Sequence, residues 1–234
     1  AYNSGYAQFI QSDLASRVLA GVYDIQTAWF RNAGIYTNTT QIDAYRGAGR
    51  PEAIYKLERA MDFAARELGV DPLELRRKNF VRGEQFPYTT VTGEIYDVGD
   101  FDKVLARAEA EADMAGFDAR KTASEANGKL RGFGLCYYIE SILGDPSEGA
   151  HVVYEDTGRV TIYVGTQSNG QGHETVYATF LSDQTGIPAH LIDVVQGDSD
   201  LIAKGGGTGG SRSVTTQNNA TLATVAKMTE AFTE

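Results

Sequence analysis

Apolar positions recur at helical spacing in some stretches of the chain and alternate every second residue in others, so both helices and strands are expected. Ile54, Leu57, Met61, Ala64 and Leu68 mark one face of a helix over 51–68. Pro51 sits in its first turn, where a missing N–H costs nothing, and Gly69 is placed to close it. Asp71-Pro72-Leu73-Glu74 repeats the start signal and predicts a short helix to about Asn79. Asp100 is read as the cap of a helix over 101–114, with Phe101, Val104, Leu105 and Ala108 on one side. A short helix is expected from Ser12 to Arg17, and polar surface structure over 119–126.

Residues 22–36, rich in Val, Ile, Tyr, Trp and Phe, read as two strands or one long bent strand, with Trp29 and its aromatic neighbours in the core. A hairpin around Thr92-Gly93 is expected over 91–98. Residues 130–141 read as a strand carrying Cys136 as an inert core thiol. Residues 150–154 and 160–164 alternate around Asp156-Thr157-Gly158, a strong hairpin signal. A helix from His173 to Gln184, with Val176, Phe180 and Leu181 on one face, ends at Gly186. A short strand over 192–195 and a last helix from Ser213 to the end of the chain follow. The expected class is α+β, with helices layered on mixed sheets, and the character of the chain changes near Lys129.

The 234 residues, 42% hydrophobic, suffice for one large domain or two small ones. The formal net charge of −10 argues against a nucleic-acid partner, because phosphate binding needs clustered Lys and Arg. Cys136 is the single cysteine, so no internal disulfide and no Cys-rich metal site is expected. No apolar run approaches the ~18–20 residues that span a bilayer. Ala1 in place of Met, and a helix running into Glu234, are read as cut ends.

The 26 glycines are not spread evenly, and they cluster in three loops, each leading into a helix, that together hold ten of them. In loop 165–172 they let backbone N–H groups face outward, and the helix start adds donors and a positive dipole end, which suits an anionic or oxygen-rich ligand. Gln171 at its tip can donate and accept without adding charge. Loop 205–213 brings hydroxyls, backbone N–H groups and the Arg212 guanidinium to a helix entry, a good phosphate cradle, although neither a P-loop nor a Rossmann spacing is present. Tyr45-Arg46-Gly47-Ala48-Gly49-Arg50 precedes the Pro51 helix in the same way. Three such loops suggest one large, polar, partly anionic cofactor gripped from several sides. Taken singly, each is more often a plain turn. His173 is expected to cap or pack at its helix start, since it has no visible metal partners, and His151 and His190 to be ordinary surface or half-buried residues. Arg50 and Arg212 either contact a ligand or make salt bridges to neighbouring loops, and 109–113 is a solvated acidic helix face.

AYRGAGRPEA, VGTQSNGQGHET and GTGGSRS, in this order and at these separations, resemble the molybdenum-binding large subunits of the xanthine dehydrogenase, aldehyde oxidase and carbon monoxide dehydrogenase family. The resemblance is strongest to the carbon monoxide dehydrogenase-like members and covers essentially the whole chain. It implies helix-on-sheet molybdopterin-binding domains, residues 1–128 ending a first and residues 129–234 opening a second. It implies a molybdenum ion held by a pterin dithiolene rather than by the protein, usually as molybdopterin cytosine dinucleotide in bacteria. Gln171 would hydrogen-bond near the metal's oxygen ligands, and Arg46 and Gly47 would lie beside it on the substrate side. Gly209, Gly210, Ser211, Arg212 and Ser213 would hold the pyrophosphate or pterin; Ala48, Gly170, Gly172, His173 and Thr208 complete the expected cofactor-binding set.

Two departures refine the reading. Gly47 stands where carbon monoxide dehydrogenases carry a copper-binding Cys, and Ala48 where xanthine-oxidising relatives carry a Phe, so neither copper-dependent CO oxidation nor a purine substrate is expected. The family's general-base Glu would lie downstream of residue 234, and Glu174 does not replace it. The implied activity is oxidation of an aldehyde or N-heterocycle by water-derived hydroxylation, in an oligomeric cytoplasmic complex whose iron–sulfur and flavin centres sit on other domains or subunits. This chain alone is expected to be inactive. The other reading is a non-catalytic nucleotide- or anion-binding module, or a structural role with the loops as plain turns.

Overall fold

A computed structural model describes residues 9–142 and 144–233. They fall into two compact units that divide between Ser141 and Ile142. In the first, α1 (Ile10–Arg17), α2 (Arg50–Leu68) and α3 (Pro72–Asn79) are followed by a two-stranded hairpin, β1 (Tyr88–Thr89) and β2 (Ile95–Tyr96), and by α4 (Phe101–Glu111) and α5 (Phe117–Ala126). The expected caps are present. Asp71 Oδ1 accepts from Leu73 N and Glu74 N at 2.8 and 3.0 Å, Asp100 Oδ1 accepts from Lys103 N at 3.0 Å, and Gly69 closes α2 in the left-handed region. Helix α4 stops at Glu111, short of Met114.

The core of this unit packs Val22, Tyr23, Leu73, Phe80 and Leu105 together, and a buried polar network crosses it. Glu58 and Arg76 are both buried. Arg76 Nε donates to Glu58 Oε2 at 2.9 Å, and its Nη2 reaches Asp62 Oδ1 at 2.9 Å and Glu58 O at 3.2 Å. Tyr23 OH donates to Glu58 Oε1 at 2.5 Å and Tyr137 N to Glu58 Oε2 at 3.0 Å. Burial and the bond to Glu58 push the Tyr23 phenol pKa up, so the hydroxyl stays a donor.

Two expectations for this unit are overturned. Residues 22–36 form no strand: Tyr23 makes an isolated bridge to Phe80, and beyond it the chain runs exposed, with Trp29 82% and Tyr36 74% exposed rather than in the core. Residues 130–141 join no ladder either. A two-residue alternation does run through them: Leu135, Tyr137 and Ile139 pack inward while Cys136, Tyr138 and Glu140 are exposed. A strand is completed by a neighbour that takes its N–H and C=O groups, and no described segment supplies one. Cys136 is therefore a surface thiol, not a core one.

The second unit is a two-layer helix-on-sheet domain. Strands β3 (Ala150–Tyr154) and β4 (Val160–Val164) pair antiparallel through the expected hairpin, and β5 (Ile192–Gln196) pairs parallel to β4, giving the mixed order β3-β4-β5. Helix α6 (His173–Thr185), closed by Gly186, makes the crossover from β4 to β5, and α7 (Ser213–Thr233) follows. Val160, Ile162, Val164, Tyr177, Leu181 and Ile192 form the core between sheet and helices. The α7 face that is buried is polar: Ser213, Thr216, Gln217 and Thr221. Among the described residues no helix is long and apolar enough to cross a membrane.

Candidate functional site

Two glycine-rich loops of the second unit, 165–172 and 204–212, are tied to each other. Gly207 N donates to Gly165 O at 3.2 Å, and Gln167 N donates to Thr208 Oγ1 at 2.9 Å. The backbones touch at Gly165 and Gly205: a Cβ on Gly205 would lie 2.4 Å from Gly165 O and 2.7 Å from Gly165 Cα. These glycines serve backbone-on-backbone packing, whereas Gly170, Gly172, Gly207 and Gly209 have open space where a side chain would stand. The glycines thus divide into those that join the loops and those that leave room ahead of them.

Three residues that the sequence reading left out hold this arrangement. The Glu148 side chain is fully buried; its oxygens accept from Gly206 N at 3.2 and 3.1 Å, and one of them from Gly149 N at 3.2 Å. Gln217, also buried, accepts from Gly165 N at 3.1 Å and donates to Gly149 O at 2.9 Å. Gln196 Oε1 accepts from Ser168 N at 2.8 Å. Buried polar side chains that satisfy loop amides stiffen the loop against the sheet. For Gln217 the sequence signal is the helical spacing of Ser213, Thr216, Gln217, Thr221 and Thr224, a polar face on a helix that has to pack.

Arg212 belongs to the same brace. Its guanidinium is buried, donates to Glu148 Oε2 at 3.3 Å, Gly207 O at 3.2 Å and Thr216 Oγ1 at 3.3 Å, and so faces the loop from behind. Ser213 is buried with it, while Thr208, Gly209 and Ser211 are exposed and Gly210 is half-buried. Gly210 and Ser211 take φ of 66° and 58°, and at Ser211, a non-glycine, that left-handed turn is strained.

Gly170 and Gln171 are exposed at the tip of the first loop, and Gly172, with φ 86°, is the N-cap of α6 with no side-chain capping bond. The α6 start therefore has no side-chain cap for its orphan N–H donors. His173 is 2% exposed, packs its ring against Tyr177 at a centroid distance of 4.9 Å, and lies 3.0 Å through Nε2 from Gln171 Nε2. Burial lowers its pKa, with the Glu174 charge and the Gln196 side chain pulling the other way, so the neutral ring is favoured. Its Nδ1 is buried with no hydrogen-bond partner among the described residues.

The Arg46 loop lies in the first unit. Arg46 is exposed, and Gly47 and Ala48 are half-buried in consecutive positive-φ conformations, 97° and 36°. Glu52 Oε2 accepts from Gly49 N at 2.8 Å, which caps α2. Arg50 is buried, donates to Gly47 O at 2.8 Å and to Ser141 O, and pairs with Glu140 at 2.5 Å. Like Arg212, it braces a loop.

Donor-rich loops entering helices, room ahead of the glycines and an orphaned buried imidazole nitrogen fit a large, oxygen-rich ligand. Comparison with known proteins gives it a class. A family model described as a molybdopterin cofactor-binding domain matches residues 107–234, and a second of the same description matches residues 1–80. The chain is 36% identical to the carbon monoxide dehydrogenase large chain of Hydrogenophaga pseudoflava, over 84% of this chain and 26% of that one. It is 38% identical to the nicotine 6-hydroxylase large subunit of Paenarthrobacter nicotinovorans, over 82% of this chain and 25% of that one. The solved structure of reconstituted CO dehydrogenase from Oligotropha carboxidovorans superposes with a TM-score of 0.78 at 31% identity, over 92% of this chain and 29% of that one. The chain thus spans about a quarter of the length of these curated relatives. It belongs to the molybdopterin cofactor-binding domains of the molybdenum-binding large subunits in the xanthine dehydrogenase, aldehyde oxidase and carbon monoxide dehydrogenase family.

Proposed function

We propose that this chain is the cofactor-gripping part of a molybdenum hydroxylase that oxidises an aldehyde or an N-heterocycle, taking the added oxygen from water. The observation that carries the reading is the pair of braced loops in the second unit, each ending at a helix entry with open space before its glycines. When bound, molybdopterin, here in its cytosine dinucleotide form, supplies the two-electron redox chemistry.

The protein's share is position and hydrogen bonds. Gly170, Gln171 and Gly172 with the α6 amides present donors to the oxygen-rich end of the cofactor, and His173 backs Gln171. Thr208, Gly209, Gly210, Ser211 and the amide of Ser213 hold its phosphate or pterin portion, while Arg212 fixes the shape of that loop. Arg46, Gly47 and Ala48 complete the set in the first unit. With no thiol at position 47 and a methyl group at position 48, neither a copper ligand nor a stacking partner for a purine is supplied there. The nicotine hydroxylase among the relatives supports an N-heterocyclic substrate.

The two family models, over 1–80 and 107–234, support two binding domains; the boundary near residue 128 rests on the change in sequence character there, ahead of the division of the compact units at 141/142. Iron–sulfur and flavin centres on other domains or subunits carry electrons away, a Glu beyond residue 234 serves as general base, and the assembly is an oligomer in the cytoplasm. The chain by itself does not turn over substrate. The complete enzyme, supplied with isotopically labelled water and with aldehydes or N-heteroaromatics, is expected to place the label in the product. Label drawn from dioxygen instead, or a molybdenum-loaded enzyme that oxidises neither class, contradicts the proposal.

A further inference from the structure

The state of the Gln171–His173 pair follows step by step from one backbone amide. Asn169 N lies 2.5 Å from the Gln171 side-chain oxygen. A backbone N–H can only donate, so the atom facing it is the carbonyl Oε1 and not the amide nitrogen. The other branch of the side chain is then Nε2, 3.0 Å from His173 Nε2. An amide nitrogen also can only donate, so the imidazole Nε2 is the acceptor and carries no proton. The neutral ring has its proton on Nδ1, the buried atom with no partner among the described residues. Protonating both ring nitrogens would set N–H against N–H and break the contact with Gln171.

The ring is also held from behind. It packs on Tyr177, whose hydroxyl is bonded to Thr166 Oγ1 at 2.8 Å, and both Tyr177 and Thr166 are buried. A histidine whose rotation is blocked and whose tautomer is dictated is a fixed acceptor.

We propose that His173 is a positioning residue for Gln171: its unprotonated Nε2 takes one amide N–H, Asn169 N–H takes the carbonyl oxygen, and the second amide N–H is the donor left for a ligand group. The matching group is an acceptor-only oxygen, such as an oxo, carboxylate or phosphate oxygen. The assignment of that oxygen to the molybdenum cofactor rests on the function proposed above.

The test uses the complete subunit. His173→Leu removes the acceptor. His173→Gln can bring a side-chain oxygen close to where the imidazole Nε2 lies. The readouts are the rate at which molybdenum leaves on dilution and the shape of the Mo(V) paramagnetic resonance signal. His173→Leu is expected to speed release about tenfold, the effect typical of a partner that orients a group at a metal site, and to alter the signal. His173→Gln is expected to restore both toward the parent. In a Gln171→Ala background, His173→Leu is expected to change neither further.

Equal behaviour of the Leu and Gln variants, or a full additional effect of His173→Leu on top of Gln171→Ala, identifies a packing role and overturns the proposal. If the Leu variant does not fold, a His173→Gln variant that releases metal as fast as Gln171→Ala overturns it as well. A folded parent subunit with no molybdenum overturns both this proposal and the cofactor assignment, whereas a loaded parent unaffected by His173→Leu overturns the positioning role alone.

Discussion

Glu58→Ala is expected to destabilise the first unit by about 3 kcal/mol. Removing one partner of a buried ion pair leaves the other charge desolvated, which costs about 3–5 kcal/mol in comparable sites. The low end applies here because Asp62 stays bonded to Arg76 Nη2. The same substitution strips an acceptor from Tyr23 OH and from Tyr137 N. Tyr137 is one of the side chains by which segment 130–141 is anchored, so exposure of that segment should rise together with that of α2 and α3. Native-state hydrogen exchange on these segments reads the change directly. Glu58→Gln keeps an acceptor and should cost less. An Ala variant within about 0.5 kcal/mol of the parent, the range of ordinary surface changes, would mean that the network does not hold the unit together.

Arg212→Leu should have a comparable effect in the second unit, about 3 kcal/mol or more. The variant leaves the fully buried Glu148 carboxylate with backbone amides alone and frees Gly207 O and Thr216 Oγ1. Lysine is a poor replacement, because a single ammonium cannot reproduce a planar fork reaching the carboxylate, Gly207 O and Thr216 Oγ1 together. The expected signature is loss of protection in loop 204–212 and at the start of α7, measured in the absence of any ligand. A variant as stable as the parent in that state, but unable to retain cofactor, would show instead that the guanidinium faces the ligand.

Much of this was legible in the sequence wherever the physics is local. Asp71 with Pro72, Asp100, Gly69, Gly186 and the Asp156-Thr157-Gly158 turn announce their elements because caps and tight turns are decided within a few residues. Segment 130–141 has the composition of a strand, but pairing is a long-range property: among the described residues it joins no ladder, and of residues 22–36 only Tyr23 bridges to another segment. Exposed Trp29 and Cys136 follow from the same fact.

The glycine loops of the candidate site stood out by composition. What composition could not distinguish was a glycine that leaves space, such as Gly170, from one that admits another backbone, such as Gly205. Glu148 was invisible because a buried acid in a loop looks like any surface acid until its partners are known. Gln217 could have been suspected from the polar stripe on α7, since a helix with no continuous apolar face must bury polar groups and satisfy them.

Whether this chain grips molybdopterin is decided by elemental and pterin analysis of the complete, folded subunit. Molybdenum and an organic pterin are expected in equal amounts, with cytidine monophosphate released on hydrolysis. A folded subunit expressed in a cofactor-producing host and found to contain neither metal nor pterin would contradict the assignment.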